Sequence, residues 1–204
     1  MDPEQIREFW FADAATDARK AKERYDFWFK ATPEIDETIR TRFGDLIPHA
    51  QADALAAWER NPRSWLALIV ILDQFPRNLY RGTSAAFATD PLAQRIAIRG
   101  FDRSFQSDLS VLEQLFCSMP FQHAEDEELQ EESVRRGDAL LASAPTEWAE
   151  FIKDFQGSAR KHLGIIQRFG RFPHRNVLLG RESTPEEQAF LDSGSGSFGQ
   201  APKE

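Results

Sequence analysis

Apolar residues at Trp148, Phe151, Ile152, Phe155, Ala159, Leu163, Ile166 and Phe169 fall on one stripe of a helix about six turns long. A stripe of that length must be buried against other helices, so it constrains the fold more than any other feature. Similar spacing by three and four recurs at Ile35, Ile39, Phe43, Leu46 and Ile47. The run from Trp65 to Leu72 is apolar on all sides and reads as a buried helix. There is no period-two alternation and no Asn-Gly hairpin signal, so the fold class is all-α.

Prolines and capping residues divide the helices. Asp2-Pro3 and Thr32-Pro33 each place a capping side chain ahead of a proline, as at a first helical turn. Asn61-Pro62 marks a break, Asp90-Pro91 starts a helix that Gly100 ends, and Asp108 starts another that Pro120 halts. Pro48 kinks or ends the second helix and Pro76 stops the buried one, because a proline disfavours helical geometry at the residue before it. Residues 124–142 read as a charged helix, and Thr184-Pro185-Glu186-Glu187 is a capping box opening a last short one. The expected architecture is an irregular stack of antiparallel helix pairs, with one domain over residues 1–192 and a disordered polar tail over 193–204. No clean 34-residue repeat marks a solenoid.

Composition narrows the function. With 17 Phe and 5 Trp the chain has ample core material. A net charge of −8 opposes binding to nucleic acid or to an anionic membrane surface. No run is long enough to span a membrane, and the first residues lack the pattern of a signal peptide, so a cytoplasmic location is expected. Cys117, the single cysteine, sits among Leu115, Phe116 and Met119 and reads as a buried small hydrophobe.

Three polar segments sit where helices meet loops: Asp73-Gln74-Phe75-Pro76-Arg77-Asn78, Pro120-Phe121-Gln122-His123-Ala124-Glu125-Asp126, and Arg168-Phe169-Gly170-Arg171-Phe172-Pro173-His174-Arg175-Asn176. The first and third share Phe-Pro, then Arg-Asn, then an Arg beside a Gly. Residues 168–181 hold four arginines and no acid, which suits recognition of a carboxylate or phosphate. Arg168, Arg171, Arg175 and Arg77 are the candidate anion ligands. The competing reading pairs these arginines with the acids Glu125, Asp126, Glu127, Glu128, Glu131 and Glu132. His162 lies seven residues before Phe169 and can face the side of the arginine-rich turn. His123 and Glu125, both read as beginning a helix, can join Asp73 in a His/carboxylate metal site or a general-base site. No His-Glu-x-x-His, Gly-x-Ser-x-Gly, Walker or dinucleotide motif is present.

These strings, in the same order from Phe9-Trp10-Phe11 through Leu191, resemble the signature of the bacterial domain of unknown function 924 family. The resemblance implies an all-α, tetratricopeptide-like superhelical domain and implies no activity. Gln122 stands where an apolar residue is expected before His123, and Pro48 is atypical.

The leading expectation is a pocket for a small anionic ligand lined by Asp73, Arg77, Asn78, His123, Glu125, His162, Arg168, Arg171, His174, Arg175 and Asn176. A hydrolase of a phosphorylated or carboxylated metabolite, with or without a divalent metal, with His123 or His174 as base and Asp73 orienting it, is the alternative. A peptide-binding groove between helix pairs is a third. Cofactor and oligomeric state are open.

Overall fold

A computed structural model describes residues 1–30 and 32–194. The regular elements of the described residues are all helices, joined by turns and short loops, with no strand. The α-helices are α1 (Pro3–Trp10), α2 (Ala18–Phe29), α3 (Pro33–Phe43), α4 (Leu46–Gln51), α5 (Pro62–Ile69), α6 (Phe75–Leu79), α7 (Asp90–Asp102), α8 (Val111–Cys117), α9 (Met119–Gln122), α10 (Glu127–Ser143), α11 (Ala149–Phe169) and α12 (Pro185–Asp192). No helix among the described residues is long and apolar enough to cross a membrane. Most of the polar tail expected from Ser193, residues 195–204, lies outside the described residues.

The caps act as their chemistry dictates. Asp2, Thr32 and Asn61 each accept a backbone N–H at the start of a helix that opens with proline. Thr184 and Glu187 form the expected capping box. A second box, Ser110 with Glu113, opens α8, so this helix starts at Ser110 rather than at Asp108. The stripe from Ile35 to Ile47 is divided at Gly44-Asp45 into α3 and α4, and Pro48 is accommodated inside the short α4. Gly100 does not end α7. It lies within the helix because Trp65 packs onto it: a β-carbon there would stand 2.0 Å from Trp65 Cε2. Pro120 likewise sits in the first turn of α9 instead of closing α8 on its own.

Pro76 departs furthest from expectation. A proline inside a helix lacks an N–H and its ring collides with the carbonyl four residues back. Here the helix does not stop. It widens into a π turn over Val70–Gln74 and continues as α6 to Leu79. The Leu72 carbonyl accepts the Thr89 hydroxyl at 2.6 Å, and the Asp73 carbonyl accepts Arg77 Nη1 at 2.6 Å. The π turn carries Asp73 and Gln74, both buried. Such widened turns recur at functional sites.

The main core gathers α1, α5, α7, α8 and the first half of α11 around Trp10, Trp65, Phe75 and Phe116. A second small cluster, Ile165, Ile166 and Phe172 with Phe169 and Phe190, fastens the far end of α11 to the C-terminal turn and α12. The α10–α11 pair folds back on itself, with Gln156 of α11 donating to the Val134 carbonyl at 2.8 Å.

Candidate functional site

Four places in the chain deliver the polar segments to one cavity. Asp73 and Gln74 come from the π turn, and Arg77 and Asn78 from α6. His123 caps the C-terminal end of α9. His162 lies on α11, which ends at Gly170 in a left-handed turn with φ of 69°. Phe172 is extended, as the residue before a proline prefers, and is fully buried. It roots the turn from which His174 and Arg175 enter.

The cavity has a volume of about 290 Å³. Arg77, Asn78, His123, His162, His174 and Arg175 line its polar side, joined by Arg81, Gln74 and Gln122. The rest of the lining is largely aromatic: Tyr25, Trp28 and Phe29 of α2, Phe155 of α11, and Phe87, which lies against Arg175. Tyr25 and Phe29 are 42% and 38% exposed, respectively, which sets them toward solvent.

His123 Nδ1 and Asp73 Oδ1 lie 2.7 Å apart. Gln74 Nε2 donates to the other carboxylate oxygen at 2.6 Å. Burial opposes ionisation of Asp73, but His123 and Arg77 outweigh it and hold its pKa near 2. The ionised carboxylate only accepts, so His123 Nδ1 carries the hydrogen and Nε2 the lone pair. Burial, followed by Arg77, lowers the His123 pKa. His162 Nδ1 bonds to the Ser158 carbonyl at 2.8 Å, which fixes the same tautomer. Burial drives the pKa values of His162 and His174 down to about 3, so both are neutral at physiological pH.

The arginines differ in what they have left to offer. Both Nη atoms of Arg77 engage Asp90, at 2.8 and 2.9 Å, and Nη1 also serves the Asp73 carbonyl. Arg175 is 6% exposed and lies 4.5 Å from the ring centroids of both Phe87 and Phe172. Its Nη1 reaches Asp90 at 3.2 Å and its Nη2 the His123 carbonyl at 3.0 Å, which leaves one N–H on each. Burial lowers its pKa to about 10. Among the described residues Arg81 is held only by a 3.7 Å contact with Asp36.

Five sequence candidates do not line the cavity. Asp73 stands behind His123. Glu125 binds Arg181 through both oxygens, at 2.6 and 2.9 Å, and accepts the Phe172 N–H at 2.8 Å. It precedes the α10 N-cap Asp126 and does not begin a helix. Arg168 pairs with Glu186 at 2.9 Å, and Arg171 with Glu187 at 2.6 Å. Asn176 donates to Ser183 Oγ and to Glu187. These groups form a clamp that ties α12 to the turn after α11. Among the described residues the ion-pair reading therefore describes Arg168, Arg171 and Arg181, and Arg77 and Arg175 also pair with a carboxylate, that of Asp90, but of the acids 125–132 only Glu125 takes part. Asp126 caps α10, while Glu131 and Glu132 pair with Arg135 and Arg136 in their own helix. Among the described residues no three His, Cys, Asp or Glu side chains converge as a metal site. Cys117 is buried with its pKa well raised.

The aromatic wall was not singled out in the sequence. Tyr25, Trp28 and Phe29 share one face of α2 by their spacing. Aromatic residues so spaced are indistinguishable from core until their partners are known. Gln122 carried a signal: it is a polar residue in an apolar position.

A solved structure described as a protein of unknown function, ATU0120 from Agrobacterium tumefaciens, is similar at 35% identity and a TM-score of 0.79, covering 94% of this chain and 97% of that one. No curated protein matches. The sequence profile of one family spans residues 6–195, nearly the whole chain. The chain therefore belongs to the family described as bacterial protein of unknown function, DUF924.

Proposed function

We propose that the cavity binds a small molecule joining an anionic head to an apolar or aromatic body, in a cytoplasmic protein. One observation carries this reading: every charged side chain lining the cavity is an arginine, while the carboxylates Asp73, Asp90 and Asp36 stand outside it. Arg77 is spent on Asp90, so the working donors are the remaining N–H groups of Arg175 and the loosely held Arg81. The lowered pKa of Arg175 marks a cation short of compensation, which an anion in the cavity would supply. In the same lining, Trp28 and Phe155 offer stacking and apolar contact to the rest of the ligand. A cavity of about 290 Å³ suits a small molecule better than a peptide.

Isothermal titration calorimetry with 4-phenylbutyrate and its neutral amide tests the reading. The acid is expected to bind at least about tenfold tighter than the amide, and Arg81→Gln to weaken the acid by about tenfold without lowering the melting temperature. Equal affinity for acid and amide, or no binding of either, would overturn it.

A further inference from the structure

Gln122 is 3% exposed, yet its carboxamide makes no hydrogen bond among the described residues. Its amide atoms are not among the sealed, unpartnered polar atoms of the described residues, so they open onto water-accessible space. The neighbouring glutamines show the contrast. The Nε2 groups of both donate, Gln74 to Asp73 and Met119 and Gln130 to the Gln122 and Ala124 carbonyls, while Gln130 Oε1 is itself buried without a partner among the described residues. Gln122 lines the cavity, and the next residue is His123. Nε2 of His123 likewise has no partner among the described residues, while its Nδ1 is held by Asp73. Two adjacent residues thus present an amide and a lone pair to the same space.

We propose that Gln122 and His123 act together on an acyl group bound in the cavity, so that the protein hydrolyses an ester or amide of a small anionic molecule. This rests on the binding reading above. In the step, His123 Nε2 takes a proton from water as the water oxygen bonds to the acyl carbon. The carbonyl electron pair moves onto its oxygen, which Gln122 Nε2–H stabilises. Collapse breaks the bond to the leaving alcohol or amine, which departs with the proton from His123. The products are a carboxylic acid and the alcohol or amine, with no oxidation or reduction. Asp73 is a positioning residue: it holds the His123 tautomer and stabilises the imidazolium that forms.

The groups around His123 are Asp73 on the π turn, Arg77 on α6, Asp90 on α7, His162 on α11 and Arg175 after it. Burial, and after it Arg77, lower its pKa, so the base form persists below the usual histidine range.

Mono(4-nitrophenyl) glutarate, which carries a free carboxylate, and neutral 4-nitrophenyl butyrate are the probes. The full chain is expected to hydrolyse the anionic ester at least tenfold faster, with a rate that rises through an apparent pKa below 6.5. His123→Gln should lose at least a hundredfold. Gln122→Leu, similar in size and apolar in a buried position, should fold and lose at least tenfold in kcat with little change in KM and the same pH midpoint. Asp73→Asn should lower the rate and shift the pH profile, which a packing role alone would not do. Hydrolysis no faster than buffer, or undiminished in His123→Gln, overturns the proposal. If 4-phenylbutyrate still binds in that case, only the catalytic step fails; if it does not, the binding reading fails as well.

Discussion

The carboxylate of Asp73 and the imidazole of His123 meet at 2.7 Å across fifty residues of chain, one on a π turn and the other at the end of a short helix. Pro76 is what makes the meeting possible. It forces the helix to widen just where Asp73 is carried, and the freed Leu72 carbonyl is taken by Thr89.

Thr89→Val keeps the shape of this 2%-exposed side chain but removes the hydroxyl from the Leu72 carbonyl. A buried acceptor deprived of its donor costs about 1–3 kcal/mol. Urea unfolding is expected to show a loss in that range, with far-ultraviolet circular dichroism unchanged.

Gly100→Ala is expected to destabilise by about 1–3 kcal/mol, since the new β-carbon would lie 2.0 Å from Trp65 Cε2. Trp65 has no room to give: it is fully buried, and its indole N–H donates to the Ile96 carbonyl at 2.8 Å. Thermal denaturation of the two proteins side by side checks this. An unchanged melting temperature would mean that the α5–α7 contact has room for the added methyl group.

Stability should fall as the pH is lowered from 6.5 to 5. His162 and His174 bind a proton near 6.5 when unfolded but only near 3 when folded, and the His123 pKa is also lowered. In that window the unfolded state holds more protons, so lowering the pH favours it. The slope for one fully buried histidine is at most about 1.4 kcal/mol per pH unit, and less for these part-exposed rings. Asp73 and Glu187, both near 2 in the folded protein, contribute stability that is present above their ordinary values and lost only as the pH falls toward 2, outside this window. Removing one of three titrating histidines with His162→Gln should reduce the slope by about a third in chemical unfolding at several pH values.

Glu187→Gln should loosen the C-terminal clamp. Glu187 holds Arg171, Asn176 and the Thr184 N–H, and Arg171 lowers its pKa to about 2. Hydrogen exchange is expected to quicken over residues 170–184 and α12 while the core around Trp65 keeps its protection. Uniform quickening would instead indicate global destabilisation.

The helices were legible in the sequence because their signals are local. The α11 stripe, the Asp2, Thr32 and Asn61 caps and the Thr184 box each rest on neighbours in the chain. Proline was harder to read. In the sequence Pro76 reads as a stop, because the Thr89 hydroxyl that relieves it is near only in the fold. The three polar segments did contain most of the polar wall, with His162 and Arg81 outside them, but their arginines could not be sorted. Arg168 and Arg175 look alike in sequence; one meets exposed Glu186 and the other is pinned between Phe87 and Phe172. The aromatic wall stayed hidden because a cavity lined by Trp28 and Phe155 and a core packed with them have the same periodicity.

A crystal structure of the protein soaked with 4-phenylbutyrate would test the anion pocket most directly. The carboxylate is expected within hydrogen-bond distance of Arg175 and Arg81, with the phenyl ring against Trp28 and Phe155. An empty cavity at saturating ligand, or a carboxylate pointing past Tyr25 into solvent with the ring among the arginines, would contradict it.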